Sequence, residues 1–237
     1  MGSKPTARRE TGAWVMLATA CVAGLAAGGW GWPGLLATGA AGAALGAVQE
    51  QRRRRWALAL AAVIAAAATL AVAHRIGLLL PGGAGLLLLF WRLRARRGSW
   101  GEQLAGIGLM AAAAAGVGYS AGGTAVAAGV TGGLVAFHLT GGLLRVRGAT
   151  GRADISALWP EVVGLIASSV LALAGGLAPP FSLLSFIPGL VRSLRPQPRP
   201  RGREEFRRLG RMEALVSAGF LVLFVAAIVT GRPVSWR

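Results

Sequence analysis

Apolar residues in this chain come in long runs, and the connections between them alternate between arginine-rich and nearly uncharged. About nine runs can be counted, close to the length that a helix needs to cross a hydrocarbon layer of about 30 Å. They fall roughly at Ala13 to Gly29, Gly34 to Val48, Trp56 to Ala73, Ile76 to Trp91, Glu102 to Tyr119, Gly123 to Leu144, Trp159 to Gly176, Phe181 to Leu194 and Met212 to Thr230. Trp30-Gly31-Trp32-Pro33 closes the first hairpin, and Pro81-Gly82-Gly83 kinks or shortens the fourth run. The eighth run is short and contains Pro188, so a re-entrant segment competes with a full crossing. The pattern predicts an all-α polytopic membrane bundle of about nine transmembrane helices.

Charge orients it. The basic residues gather in an N-terminal tail of residues 1–12 and in loops at about 49–55, 92–101, 145–158 and 195–211. Of the 25 Lys and Arg, only Arg75, Arg232 and Arg237 fall on the other side. Cytoplasmic loops retain Lys and Arg, so the N-terminus is expected inside and the C-terminus outside, with residues 13–237 forming one transmembrane domain. The tryptophans agree: Trp14, Trp56, Trp91, Trp100 and Trp159 fall at inner ends, and Trp30, Trp32 and Trp236 at outer ends, as in an aromatic belt.

Composition changes the picture little. A net charge of +17 would suggest nucleic acid in a soluble protein, but the positive-inside bias accounts for most of it. Anionic lipid headgroups at the cytoplasmic face are the expected partner, and nucleic acid is not. Cys21 has no mate. The glycine pairs Gly24/Gly28, Gly42/Gly46 and Gly129/Gly133 have the spacing of close helix packing, expected within the chain.

All eight acidic residues lie at expected inner edges or loops. Ser99 and Glu102 have capping-box spacing. Glu161, in the first turn of its helix, suits the helix dipole. Glu50 sits beside Arg52, Arg53, Arg54 and Arg55 and pairs with them at the surface. Glu213 either caps the last helix or faces an inner cavity. His138 is the most deeply placed ionisable group: a neutral imidazole bonded to a neighbouring helix, or a ligand or proton-relay site. No His, Cys or acidic pair has metal-ligand spacing, and no metal or cofactor is expected.

Three short stretches resemble a known family. Thr11-Gly12-Ala13-Trp14-Val15-Met16-Leu17, Phe186-Ile187-Pro188-Gly189-Leu190-Val191-Arg192 and Leu209-Gly210-Arg211-Met212-Glu213-Ala214-Leu215 resemble the YwiC-like family of bacterial integral membrane proteins. Gly12, Ala13, Trp14, Gly210 and Glu213 carry the motifs, although position 11 is Thr where that family usually has His. The nine-span layout is also similar to the UbiA prenyltransferase superfamily, whose loops after spans 2 and 6 hold Mg²⁺ on Asp-rich motifs. Here those loops offer Glu50 and Asp154 and no paired carboxylates.

The resemblance therefore implies a UbiA-like bundle in the bacterial cytoplasmic membrane without conventional prenyl transfer. The leading expectation is a protein that binds a lipid or isoprenoid amphiphile in an inward-facing cavity, through Glu50, Arg52 to Arg55, His138, Arg145 and Glu213. A divergent or degenerate prenyltransferase and a small-solute transporter are the alternatives.

Overall fold

A computed structural model describes residues 11–49, 63, 67, 69, 76–95, 99–151, 156–195, 200 and 202–236. Among them are eight α-helices: α1 (Thr11–Gly28), α2 (Trp32–Gln49), α3 (Leu79–Arg94), α4 (Trp100–Ser120), α5 (Ala125–Ala149), α6 (Leu158–Leu173), α7 (Ile187–Leu194) and α8 (Arg203–Thr230). Short 3-10 turns at Ile76–Leu78, Ser182–Phe186 and Val234–Trp236 complete the described elements. The run expected at Trp56 to Ala73 lies outside the described residues except at positions 63, 67 and 69, and so do Glu50, Arg52 to Arg55 and Asp154.

The described chain is all-helical, and α4, α5 and residues 204–230 of α8 are long and apolar enough to cross a membrane. The other apolar helices are shorter. Ser99 and Thr124 start α4 and α5 by accepting the amide hydrogens of Glu102 and Ala127 at 3.1 and 3.2 Å. Pro81 falls in the first turn of α3, where its missing N–H costs little.

α1 packs against α2, α4, α5 and α8. Its approach to α4 depends on glycine. A Cβ on Gly24 would collide with the Ala114 carbonyl oxygen, and one on Gly28 with the Gly118 oxygen. Gly42, Gly129 and Gly133 behave otherwise: a Cβ there meets nothing within 4 Å among the described residues.

One end of the bundle is stitched by the C-terminal segment. Arg232 donates to the carbonyls of Ala26 and Ala27 at the C-terminus of α1, at 2.8 and 3.1 Å. Thr124 donates to Ser235, Ser235 to Gly176, and the Trp236 indole to Leu177. Trp236 is buried by these contacts at that end of the bundle.

From that end the chain descends beside α8. Pro180 lies against Gly231, Pro188 against Gly219, and Arg192 near Glu213. The eighth run therefore returns to the basic end as a 3-10 turn and a helix of 8 residues, not as a regular long helix.

One boundary differs from expectation. α5 continues past Leu144 to Ala149, so Arg145 and Arg147 are helical and buried and do not belong to a loop at 145–158. The last helix likewise extends beyond its apolar run: α8 begins at Arg203, so the basic stretch is helical from there to Met212. Arg and Glu are good helix formers, and a helix need not end where its apolar run ends.

Candidate functional site

A charged cluster lies inside the basic half of the bundle, where α5, α6, α7 and α8 meet. Its geometry follows from helical spacing. His138 and Arg145 are two turns apart on one face of α5, and Glu213 and Ser217 are one turn apart on α8. The helices are antiparallel, so Ser217 meets His138 and Glu213 meets Arg145.

Arg145 is the hub. Its Nη1 donates to Glu161 Oε1 at 2.7 Å and to Ser193 Oγ at 3.2 Å, and its Nε donates to Glu213 Oε2 at 2.9 Å. Arg192 Nε lies 3.6 Å from Glu213 Oε1. Two guanidinium groups thus face two carboxylates, and the cluster carries no net charge. That balance matters, because an unpaired charge removed from water is costly and pairing with good geometry is what offsets it.

His138 joins the cluster from above. Its Nε2 is 3.2 Å from Ser217 Oγ on α8, and its ring stacks on Phe220 with centroids 4.2 Å apart. Its Nδ1 is 3.8 Å from Glu161 Oε1, beyond hydrogen-bond range. The imidazole is thus bonded to a neighbouring helix.

Glu161 is the residue that sequence reasoning missed as a site. It was expected at a helix start on the strength of the dipole; it does lie in the first turn of α6, and it is also fully enclosed. Glycine makes room for it. A Cβ on Gly141 of α5 or on Gly189 of α7 would collide with the Glu161 carboxylate. α7 can approach only because position 189 has no side chain. Glu161 Oε2 and His138 Nδ1 have no hydrogen-bond partner and are buried.

Arg147 works on the opposite side of α5. It stacks over Trp100 at 3.9 Å and bonds to Gln103 Oε1, tying α5 to α4. Arg145 and Arg147 therefore fasten the basic end of α5 in two directions.

A cleft of about 640 Å³ opens beside the cluster between α1, α5 and α8. Val15, Met16, Val146 and Ala214 give it apolar walls; Arg207, Arg211, Glu213 and Ser217 give it polar ones. Gly210 also lines it, and a Cβ there would meet nothing within 4 Å.

No protein-family model, curated protein or solved structure matches this chain.

Of the expected site residues, His138, Arg145 and Glu213 are brought together, while Glu50 and Arg52 to Arg55 lie outside the described residues. Arg192, Ser193 and Ser217 join them without having been expected. Among the described residues no group of three or more His, Cys, Asp or Glu converges in a way that could hold a metal ion. The chemistry available is the recognition of charge: a saturated internal ion network, and next to it a cleft edged by two arginines.

Proposed function

We propose that the chain is an integral membrane protein of the YwiC-like type that holds an anionic amphiphile by its headgroup in the cleft between α1 and α8. In this reading the basic end faces the bacterial cytoplasm and the C-terminus lies outside, following the arginine asymmetry. The carrying observation is a convergence. The stretch from Thr11 supplies Val15 and Met16 to the cleft, and the stretch from Leu209 supplies Gly210, Arg211, Glu213 and Ala214. The stretch from Phe186 seats Gly189 on Glu161 and brings Arg192 to Glu213. The three stretches that carry the family resemblance, far apart in sequence, border one site.

Charge favours an anion. Arg145 and Arg192 are occupied by carboxylates, whereas Arg207 and Arg211 have no partner among the described residues and sit one turn apart. Like charges at that spacing repel, and a phosphate or carboxylate between them relieves the repulsion. The apolar wall beside them suits the first carbons of a lipid chain.

The experiment is native mass spectrometry of the protein released from nanodiscs of phosphatidylcholine doped with phosphatidylglycerol. Selective retention of phosphatidylglycerol, lost in Arg207→Gln/Arg211→Gln, supports the reading. Equal retention of both lipids by the native protein rejects it.

A further inference from the structure

The cleft between α1 and α8 also constrains how much negative charge its ligand carries. Its charged lining residues, Arg207, Arg211 and Glu213, all come from α8. Glu213 does not offset the two arginines, because it is already engaged on its other side. Its Oε2 accepts from Arg145 Nε at 2.9 Å, and its Oε1 lies 3.6 Å from Arg192 Nε. Those contacts belong to the internal network, where two carboxylates meet two guanidinium groups. Glu204 and Glu205 stand in the first turn of α8 and do not line the cleft. Among the described residues the cleft therefore presents two uncompensated positive charges, those of Arg207 and Arg211.

Their spacing lets both act on one group. Residues four apart on a helix have Cβ atoms about 5–6 Å apart, within reach of two long side chains that converge on a single anion. Each guanidinium is a planar fork of N–H donors that matches phosphate oxygens in pairs. A phosphodiester brings one negative charge and leaves one arginine uncompensated. A phosphate monoester has three free oxygens and roughly −1.5 to −2 charges near neutral pH, so it answers both forks and both charges. The other walls indicate what bears the phosphate. Val15 and Met16 from α1, Val146 from α5 and Ala214 from α8 are apolar, and hydrocarbon suits them where a free ion does not.

We infer that the cleft recognises a lipid whose head is a terminal phosphate monoester, and prefers it to a phosphodiester lipid because Arg207 and Arg211 together take up the second charge. The inference rests on the anionic-amphiphile reading of this cleft and narrows it to a dianionic head.

The test uses the full chain in phosphatidylcholine nanodiscs doped equally with phosphatidic acid and phosphatidylmethanol of the same acyl chains. The two heads differ by one methyl ester and one charge. Lipid retained on the released protein is identified by native mass spectrometry. Phosphatidic acid is expected to be enriched over phosphatidylmethanol by about fivefold, the upper end for an exposed ion pair. Arg207 and Arg211 are exposed on a helix, so Arg207→Gln and Arg211→Gln, made singly, should fold and should each abolish that enrichment. Arg207→Lys keeps the charge and should keep part of it. Equal retention of phosphatidic acid and phosphatidylmethanol, both above phosphatidylcholine, overturns the inference and leaves the anionic-amphiphile reading standing. Equal retention of all three lipids overturns both. Enrichment of phosphatidic acid that survives in both single Gln variants also overturns the inference, since the second charge is then read elsewhere. Inorganic phosphate that displaces phosphatidic acid at equal concentration overturns the assignment to a lipid.

Discussion

Arg145 Nη1 donates to Glu161 Oε1 at 2.7 Å with both side chains fully enclosed, and this contact joins α5 to α6 at the point where α7 closes over them. The pair is held by complementary spaces as well as charge: Gly141 and Gly189 leave the volume that the carboxylate fills.

Removing the carboxylate strands a buried guanidinium. Glu161→Ala should cost about 3–5 kcal/mol, and Glu161→Gln less, since its amide oxygen still accepts from Arg145. Unfolding followed by SDS titration in mixed micelles measures both. A cost below about 1 kcal/mol for Glu161→Ala would show that the network is not what closes this end of the bundle.

Neighbouring glycines should separate sharply. Gly141→Ala and Gly189→Ala force a methyl onto the Glu161 carboxylate, an overpacking that typically costs about 1–3 kcal/mol. At Gly142 the nearest atoms to a Cβ, Arg145 Nη2 and Glu213 Oε2, are 3.7 Å away. Gly142→Ala should therefore be neutral or gain up to about 1 kcal/mol from helix propensity. Melting temperatures in one detergent decide; equal effects at positions 141 and 142 would contradict the packing.

The same contrast applies to the spaced glycines. Gly24→Leu and Gly28→Leu should separate α1 from α4 and abolish a stable fold, whereas Gly129→Leu and Gly133→Leu, where a Cβ meets no described residue within 4 Å, should be tolerated. Size-exclusion profiles of the purified variants give the answer.

Orientation is open to chemical labelling. Cys21 is buried and so shielded from an impermeant reagent, and a Cys21→Ser background removes it altogether. In it, Thr230→Cys should react with an impermeant thiol reagent on intact cells, and Ser156→Cys only after permeabilisation. The reverse pattern would invert the proposed topology.

A sequence shows best what is local. Helical character and the segregation of arginine depend on residues near one another along the chain, and the apolar runs mark most of the helices the structure contains. Ser99 and Glu102 were recognisable as a cap because the bond spans three residues. The helix ends were less legible: α5 runs on through arginines that read as loop, because an amphipathic extension has no continuous apolar run. Glu161 read as a carboxylate in the first turn of its helix, which it is, but nothing in its own turn distinguishes an exposed carboxylate from one facing a guanidinium on another helix. Its partner Arg145 is 16 residues away, Ser193 lies 48 residues from that arginine, and Glu213 lies 68. Which helix faces meet, and whether a glycine stands where a side chain would forbid the approach, is decided by packing between distant segments. The sequence alone therefore determined the helices and the asymmetry of charge across them. Only the tertiary structure decided which charges neutralise one another, and which arginines remain to meet a ligand.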